Sequence, residues 1–150
     1  MKTNIKACIH CSATRENQRY TFEDCKKFHM TDPSRKYSDI GYNIYIERDG
    51  SIHQGRPFGS VLAHARGHNT GFLSICYEGG LDPGGKPRDT RTDAQKQSLL
   101  IVQLFIERMY NVTTWLGHRD LSPDLNQDGE ITPDEWLKEC PCFDVKSEFL

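Results

Sequence analysis

No apolar run in the 150-residue chain approaches the roughly 18 residues that a membrane-spanning helix requires. Hydrophobic residues make up only 36%, and membrane insertion is not expected. The opening residues, MKTNIKACIHC, lack the roughly 7–15-residue apolar core of a secretory signal. The protein is therefore expected to be made in a cytoplasm and to stay there at first. An excess of one charge is also missing. Lys and Arg number 19 against 21 Asp and Glu, for a formal net charge of −2. That balance leaves no basic surplus for nucleic acid or anionic membranes. Internal repeats and low-complexity tracts are absent as well. The six cysteines, at 8, 11, 25, 76, 140 and 142, are even in number. Without small size or a secretion signal they are expected as reduced thiols rather than a disulfide framework. Reduced thiols near histidines keep a metal site open. The length fits one monomeric domain with a core that needs no staples.

The pattern of what is present predicts interleaved strands and helices. Ile5 to His10 alternates Ile5, Ala7 and Ile9 as a strand, then runs into polar Cys11-Ser12-Ala13-Thr14. Thr21 can cap a helix that runs to about Met30 and stops at Asp32-Pro33. Tyr42 to Arg48 and Ser51 to Gly55 flank Asp49-Gly50, a hairpin signal. Phe72 to Tyr77 reads as a buried strand closed by Gly79-Gly80. Thr92 and Gln95 form a capping box for the clearest helix, to Met109. Its broad apolar face is expected to pack on a sheet, and Asn111 to end it in the left-handed conformation. Thr113 to Leu116 reads as a strand that delivers Gly117-His118. Thr132-Pro133 starts a short helix, and Phe143 to Leu150 a last helical turn or two. The expected fold is α/β, a single mixed central sheet with helices packed on it.

Two features carry chemistry. His10 and His118 each close a β-like run, and a sheet could bring them together across 108 positions. A thiolate from Cys140 or Cys142 would complete three ligands and leave a fourth position for water, as in catalytic zinc sites. The spacing matches no local zinc pattern, so ordinary strand-end histidines and incidental thiols stand beside that reading. His29 is expected at the helix surface. His53 should face out or pack, and His64 and His68 frame a loop that could contact substrate. The second feature, Asp124 to Glu135, fits D-x-[DN]-x-[DN]-G-x5-E at every specified position. Asp124, Asn126, Asp128, Glu130, Thr132 and Glu135 are the calcium ligands that pattern implies. Leu121-Ser122-Pro123 is poor helix sequence for the preceding arm, and there is no second loop to pair with.

Six segments occur in order: His10-Cys11-Ser12-Ala13-Thr14, Asp39-Ile40-Gly41-Tyr42-Asn43, His64-Ala65-Arg66-Gly67-His68-Asn69, Ile75-Cys76-Tyr77-Glu78-Gly79-Gly80, Gly117-His118 and Lys138-Glu139-Cys140-Pro141-Cys142-Phe143-Asp144. Together they resemble the zinc-dependent N-acetylmuramoyl-L-alanine amidases of the phage-lysozyme and peptidoglycan-recognition-protein type. The resemblance covers nearly the whole chain. It implies zinc ligands at His10, His118 and Cys140, with Cys142 a bystander. It also implies catalytic roles for Tyr42 and Lys138. The implied reaction is hydrolysis of the amide between the lactyl group of muramic acid and L-alanine of the stem peptide. Peptidoglycan or a muropeptide would be the partner, and a phage-type endolysin the setting. Recycling of cytoplasmic wall fragments, or export as an effector, fits the same residues. Residues 124–135 read as an insertion in a single amidase domain, and a calcium ion there would steady the segment leading to Cys140. The rival is a non-catalytic peptidoglycan-binding protein of the same fold. Such relatives typically lack the cysteine ligand that this chain keeps.

Overall fold

The computed structural model describes residues 1–149. In chain order the elements are β1 (Asn4–Cys11), β2 (Thr14–Arg15), α1 (Phe22–Thr31), β3 (Ile44–Ile46), β4 (Ile52–Gln54), β5 (Phe72–Tyr77), β6 (Gly80–Leu81), α2 (Asp93–Met109), β7 (Asn111–Gly117) and α3 (Val145–Glu148). Five strands form one mixed sheet in the order β4-β3-β5-β1-β7. Only the β3–β4 hairpin is antiparallel; β1 runs parallel to both β5 and β7. The two-residue strands β2 and β6 form a small second pair, which the sequence pattern does not announce.

Alternation along β1 divides the sheet into two unlike faces. Ile5, Ala7, Ile9 and Cys11 join the larger core with Leu99, Val102 and Ile106 of α2 and Val145 and Phe149 at the C-terminal end. On the opposite face, Phe22 and Cys25 of α1 pack with Ile40, Tyr45 and Cys76. Both long helices carry complete capping boxes, Thr21 with Asp24 and Thr92 with Gln95. Gln95 also donates to the carbonyls of Ile46 and Glu78, tying α2 to the sheet. Arg91 anchors the C-terminal end. Its buried guanidinium lies over the Phe143 ring and pairs with Asp89 and Glu148.

Three expectations change. The broad apolar face of α2 is only partly used: Leu99, Val102 and Ile106 are buried, whereas Leu100, Ile101, Leu104, Phe105 and Met109 are about half exposed. A straight helix meets a sheet along one stripe, and residues one position away turn outward. Asn111 does not end α2. The cap is Tyr110, with φ −127°, and Asn111 opens β7, its N–H donating to Thr3 O and its side chain to Asn4 Oδ1. After Thr132 there is one 3-10 turn, Pro133–Glu135, instead of a helix. Trp136 is already extended there, stacked under the Arg119 guanidinium at 3.9 Å. The last helix does form, though Leu150 lies outside the described residues.

Burial along α2 makes a direct prediction. Ile106→Ala, at a fully buried position, should cost about 2–5 kcal/mol. Leu104→Ala, at a 59% exposed position, should stay within about 0.5 kcal/mol. Urea titration of both variants checks the orientation; equal losses would contradict it.

Candidate metal centre

Pairing of β1 with β7 sets Ile9 opposite Gly117. The residues that follow, His10 near the end of β1 and His118 at the start of the 3-10 turn after β7, therefore stand side by side at the same sheet end. Carboxyl ends of parallel strands are where open α/β sheets place their sites. His10 Nδ1 lies 3.0 Å from His118 Nδ1. Cys140 arrives from the far end of the chain, and its Sγ accepts the Cys11 N–H at 3.2 Å. The ligand atoms of His10, His118 and Cys140 all lie within 4.8 Å of one another.

The backbone that carries Cys140 is fastened to the β7 end. Arg119 N–H donates to Cys140 O at 2.8 Å. The Tyr77 hydroxyl donates to Pro141 O. A Cβ on Gly117 would stand 2.6 Å from Pro141 Cδ, so only glycine allows this approach. Cys142 turns away: it adopts φ +70° and its thiol donates to Gly80 O. Of the two thiols the sequence left open, the fold brings Cys140 to the histidines.

Burial holds the His10 imidazole well below its ordinary pKa, helped by His118, His64 and Lys138. Burial, then Lys138, lowers His118 to about 4. Both rings are therefore neutral near pH 7, with lone pairs available to a metal. Two neutral imidazoles and one thiolate are donors that zinc accepts at about 2.0–2.3 Å. Three protein ligands would leave a fourth position for water. The residues present thus fit a zinc ion.

The cleft above them has a volume of about 620 Å³. Tyr42 is on its wall, its ring 5.1 Å from that of His10. Exposed Lys138 stands at the rim with Arg35 and Arg66, and no Asp or Glu lines the cleft among the described residues. His64 and His68 line it too, but His64 is 7% exposed and both its ring nitrogens are engaged, by His10 and by His68 O. His53 sits apart, stacked on Phe22.

His29 departs from its expected place at the surface. It is 8% exposed, accepts the Gly41 N–H at Nδ1, and stands 5.5 Å ring to ring from Tyr42. The sequence held the signal: Phe22, Cys25 and His29 recur at i, i+3 and i+7 on one helix face.

Asp124 to Glu135 folds on its own hydrogen bonds. Asp124 Oδ2 accepts Gly129 N–H, Asp128 Oδ1 accepts Glu130 N–H, and Glu135 accepts N–H groups of Leu125, Asn126 and Thr132. Asp124 Oδ1 is buried without a partner. The loop lacks the flanking helices of an EF-hand. Its carboxylates are not among the clustered metal-ligand groups of the described residues, which are His10–His118–Cys140 and Cys8–His10–His64.

A family model described as N-acetylmuramoyl-L-alanine amidase matches residues 5–136. The chain belongs to this family. An endolysin of Enterobacteria phage T3 is 31% identical over 138 residues, 92% of this chain and 80% of the phage protein. An uncharacterized Haemophilus influenzae protein is 50% identical over 99 residues, 66% of this chain and 85% of that one. Among solved structures, the N-acetylmuramoyl-L-alanine amidase LysC from Clostridium intestinale superposes with a TM-score of 0.66 at 25% identity, covering 97% of this chain and 82% of that one. The protein is thus a peptidoglycan amidase with the mixed-sheet fold of that family.

Burial lowers His29 of this amidase from 6.5 to about 4. The unfolded chain takes up a proton through pH 6.5 that the folded one refuses until about 4. Stability linked to His29 is therefore full above pH 6.5 and falls as pH drops between those values, by about 3 kcal/mol at the lower end. Urea unfolding of metal-free wild type and His29→Gln at pH 7 and 4.5 measures it. The wild type should lose more, and parallel losses would refute the assignment.

Proposed function

We propose that the amidase is a zinc hydrolase that cuts the bond between the muramoyl lactyl group and L-alanine, acting as an endolysin-type enzyme. The observation carrying this reading is the convergence of His10, His118 and Cys140, whose ligand atoms lie within 4.8 Å of one another in the lining of an open cleft. Zinc in that set supplies Lewis acidity and a water of lowered pKa. Lys138, on the rim two residues before the thiolate, donates to the scissile carbonyl oxygen as negative charge grows on it. Burial raises the Tyr42 phenol well above its usual pKa, so it stays protonated and directs a hydrogen bond to the reacting water or the leaving amine. The acid-free rim with Arg35 and Arg66 suits the carboxylates of a stem peptide. The phage endolysins among the relatives support the lytic role. The complete His, His and Cys set argues against a purely binding protein.

Cys140→Ala should abolish both bound zinc and lysis of purified walls. Lys138→Ala should keep zinc and lower kcat by about 10²–10³, with KM little changed. Metal analysis beside turnover of a synthetic muramoyl peptide separates the two. Full activity in Cys140→Ala would end the zinc assignment.

Calcium at the inserted loop, residues 124–135, is a separate proposal. Its support is the ligand pattern and the buried, unpartnered Asp124 Oδ1. An ion there would draw the Asp124, Asp128 and Glu135 carboxylates together. Calcium at about 100 times its Kd should then raise the melting temperature by roughly 5–10 °C. An unchanged melting curve in millimolar calcium would rule the site out.

A further inference from the structure

His10 belongs to both clusters of potential metal ligands, one with His118 and Cys140 and one with Cys8 and His64. One carbonyl oxygen decides how it serves them. His64 Nε2 lies 2.6 Å from His68 O. A carbonyl only accepts, so His64 carries its proton on Nε2. A neutral imidazole has one donor and one acceptor, which leaves His64 Nδ1 as the acceptor. That atom is 2.8 Å from His10 Nε2, so His10 donates from Nε2. The lone pair of His10 is then on Nδ1, the nitrogen 3.0 Å from His118 Nδ1, and His118 and Cys140 are the other two members of that cluster.

We propose that His64 is a positioning residue of the metal centre: it transmits the polarity of the His68 carbonyl to His10 and fixes the tautomer that offers Nδ1 to the metal. The proposal rests on the zinc centre proposed above. The segment His64 to Asn69 is built for this task. Asn69 Oδ1 accepts the N–H groups of His64 and Ala65, at 2.9 and 3.1 Å. Gly67 takes φ +81°, which lets the chain turn back so that the His68 carbonyl meets the His64 ring. Ligand histidines elsewhere hand their second nitrogen to a carboxylate or a carbonyl. Here a second histidine stands between ligand and carbonyl. With both ring nitrogens engaged, His64 has none free for substrate, and as a metal ligand beside Cys8 it would require His10 to expose Nε2 instead.

The test compares His64→Asn, whose Oδ1 keeps an acceptor near the position of Nδ1, with His64→Leu, which fills similar space without one. Zinc affinity is read by competition with a chromogenic chelator, alongside the melting temperature of each metal-free protein. The Leu variant should bind zinc about 10–100-fold more weakly, and the Asn variant within about threefold of wild type. Wild-type affinity in the Leu variant, or equal loss in both, overturns the relay. Should the Leu variant fail to fold, a long-range proton–nitrogen NMR spectrum of the zinc-loaded wild type decides. His10 and His64 should both be protonated at Nε2, and a proton on His10 Nδ1 overturns the proposal. Cys140→Ala in the same zinc titration is the control for the centre itself. If it binds as tightly as wild type, the metal centre is misplaced, a failure distinct from that of the relay.

Discussion

The parallel pairing of β1 with β7, with Ile9 opposite Gly117, is the constraint on which the rest depends. It converts a separation of 108 residues into a contact between neighbouring strand ends. A shift of one residue would turn His10 toward α2 and bring Ile9 to the cleft, because side chains alternate with period two. The register is held from the other face. Ile5, Ala7 and Ile9 sit in the main core with Leu99 and Ile106, and a slip would expose them all. Hydrophobic burial behind the sheet therefore fixes where His10 and His118 stand in front of it.

Buried histidines at that front create an electrostatic condition of their own. Burial is the leading cause for His10, His29, His64 and His118, each held below its ordinary pKa. Neutral rings cost less to bury than charged ones and leave nitrogen lone pairs in place. Lys138 and the rim arginines add positive charge, and among the described residues no carboxylate lines the cleft to cancel it. The described lining of the cleft thus carries positive side chains and no negative one. The overall net charge of −2 gives no hint of this.

Much of this was legible in the sequence, because local signals and tertiary demands agree. The capping boxes at Thr21 and Thr92, the Asp49-Gly50 hairpin and the ordered family segments all lead to elements found in the fold. What escaped depends on long-range geometry. Periodicity predicts an apolar face on α2, but not that the sheet covers only its Leu99–Val102–Ile106 stripe. Asn111 has the chemistry of a helix stop, yet an open backbone partner at Thr3 recruits it into β7. His29 followed the helix periodicity of Phe22 and Cys25 inward, and its polarity disguised that. Chemistry alone left Cys140 and Cys142 equal; the Gly117–Pro141 approach separates them.

The loop of residues 124–135 is a long excursion next to this site. Residues 124–135 lie between His118 and Cys140, so slack there would be expected to loosen their spacing. The chain instead closes a neck beneath the loop. Leu137 N–H donates to Ser122 Oγ at 3.0 Å, Arg119 N–H holds Cys140 O, and the Arg119 guanidinium stacks on Trp136. Each contact joins a residue before the loop to one after it. The neck therefore holds Cys140 near the β7 end through contacts that do not run through the loop. The named contacts that place Cys140 beside His10 and His118 belong to the neck and to the β1–β7 register.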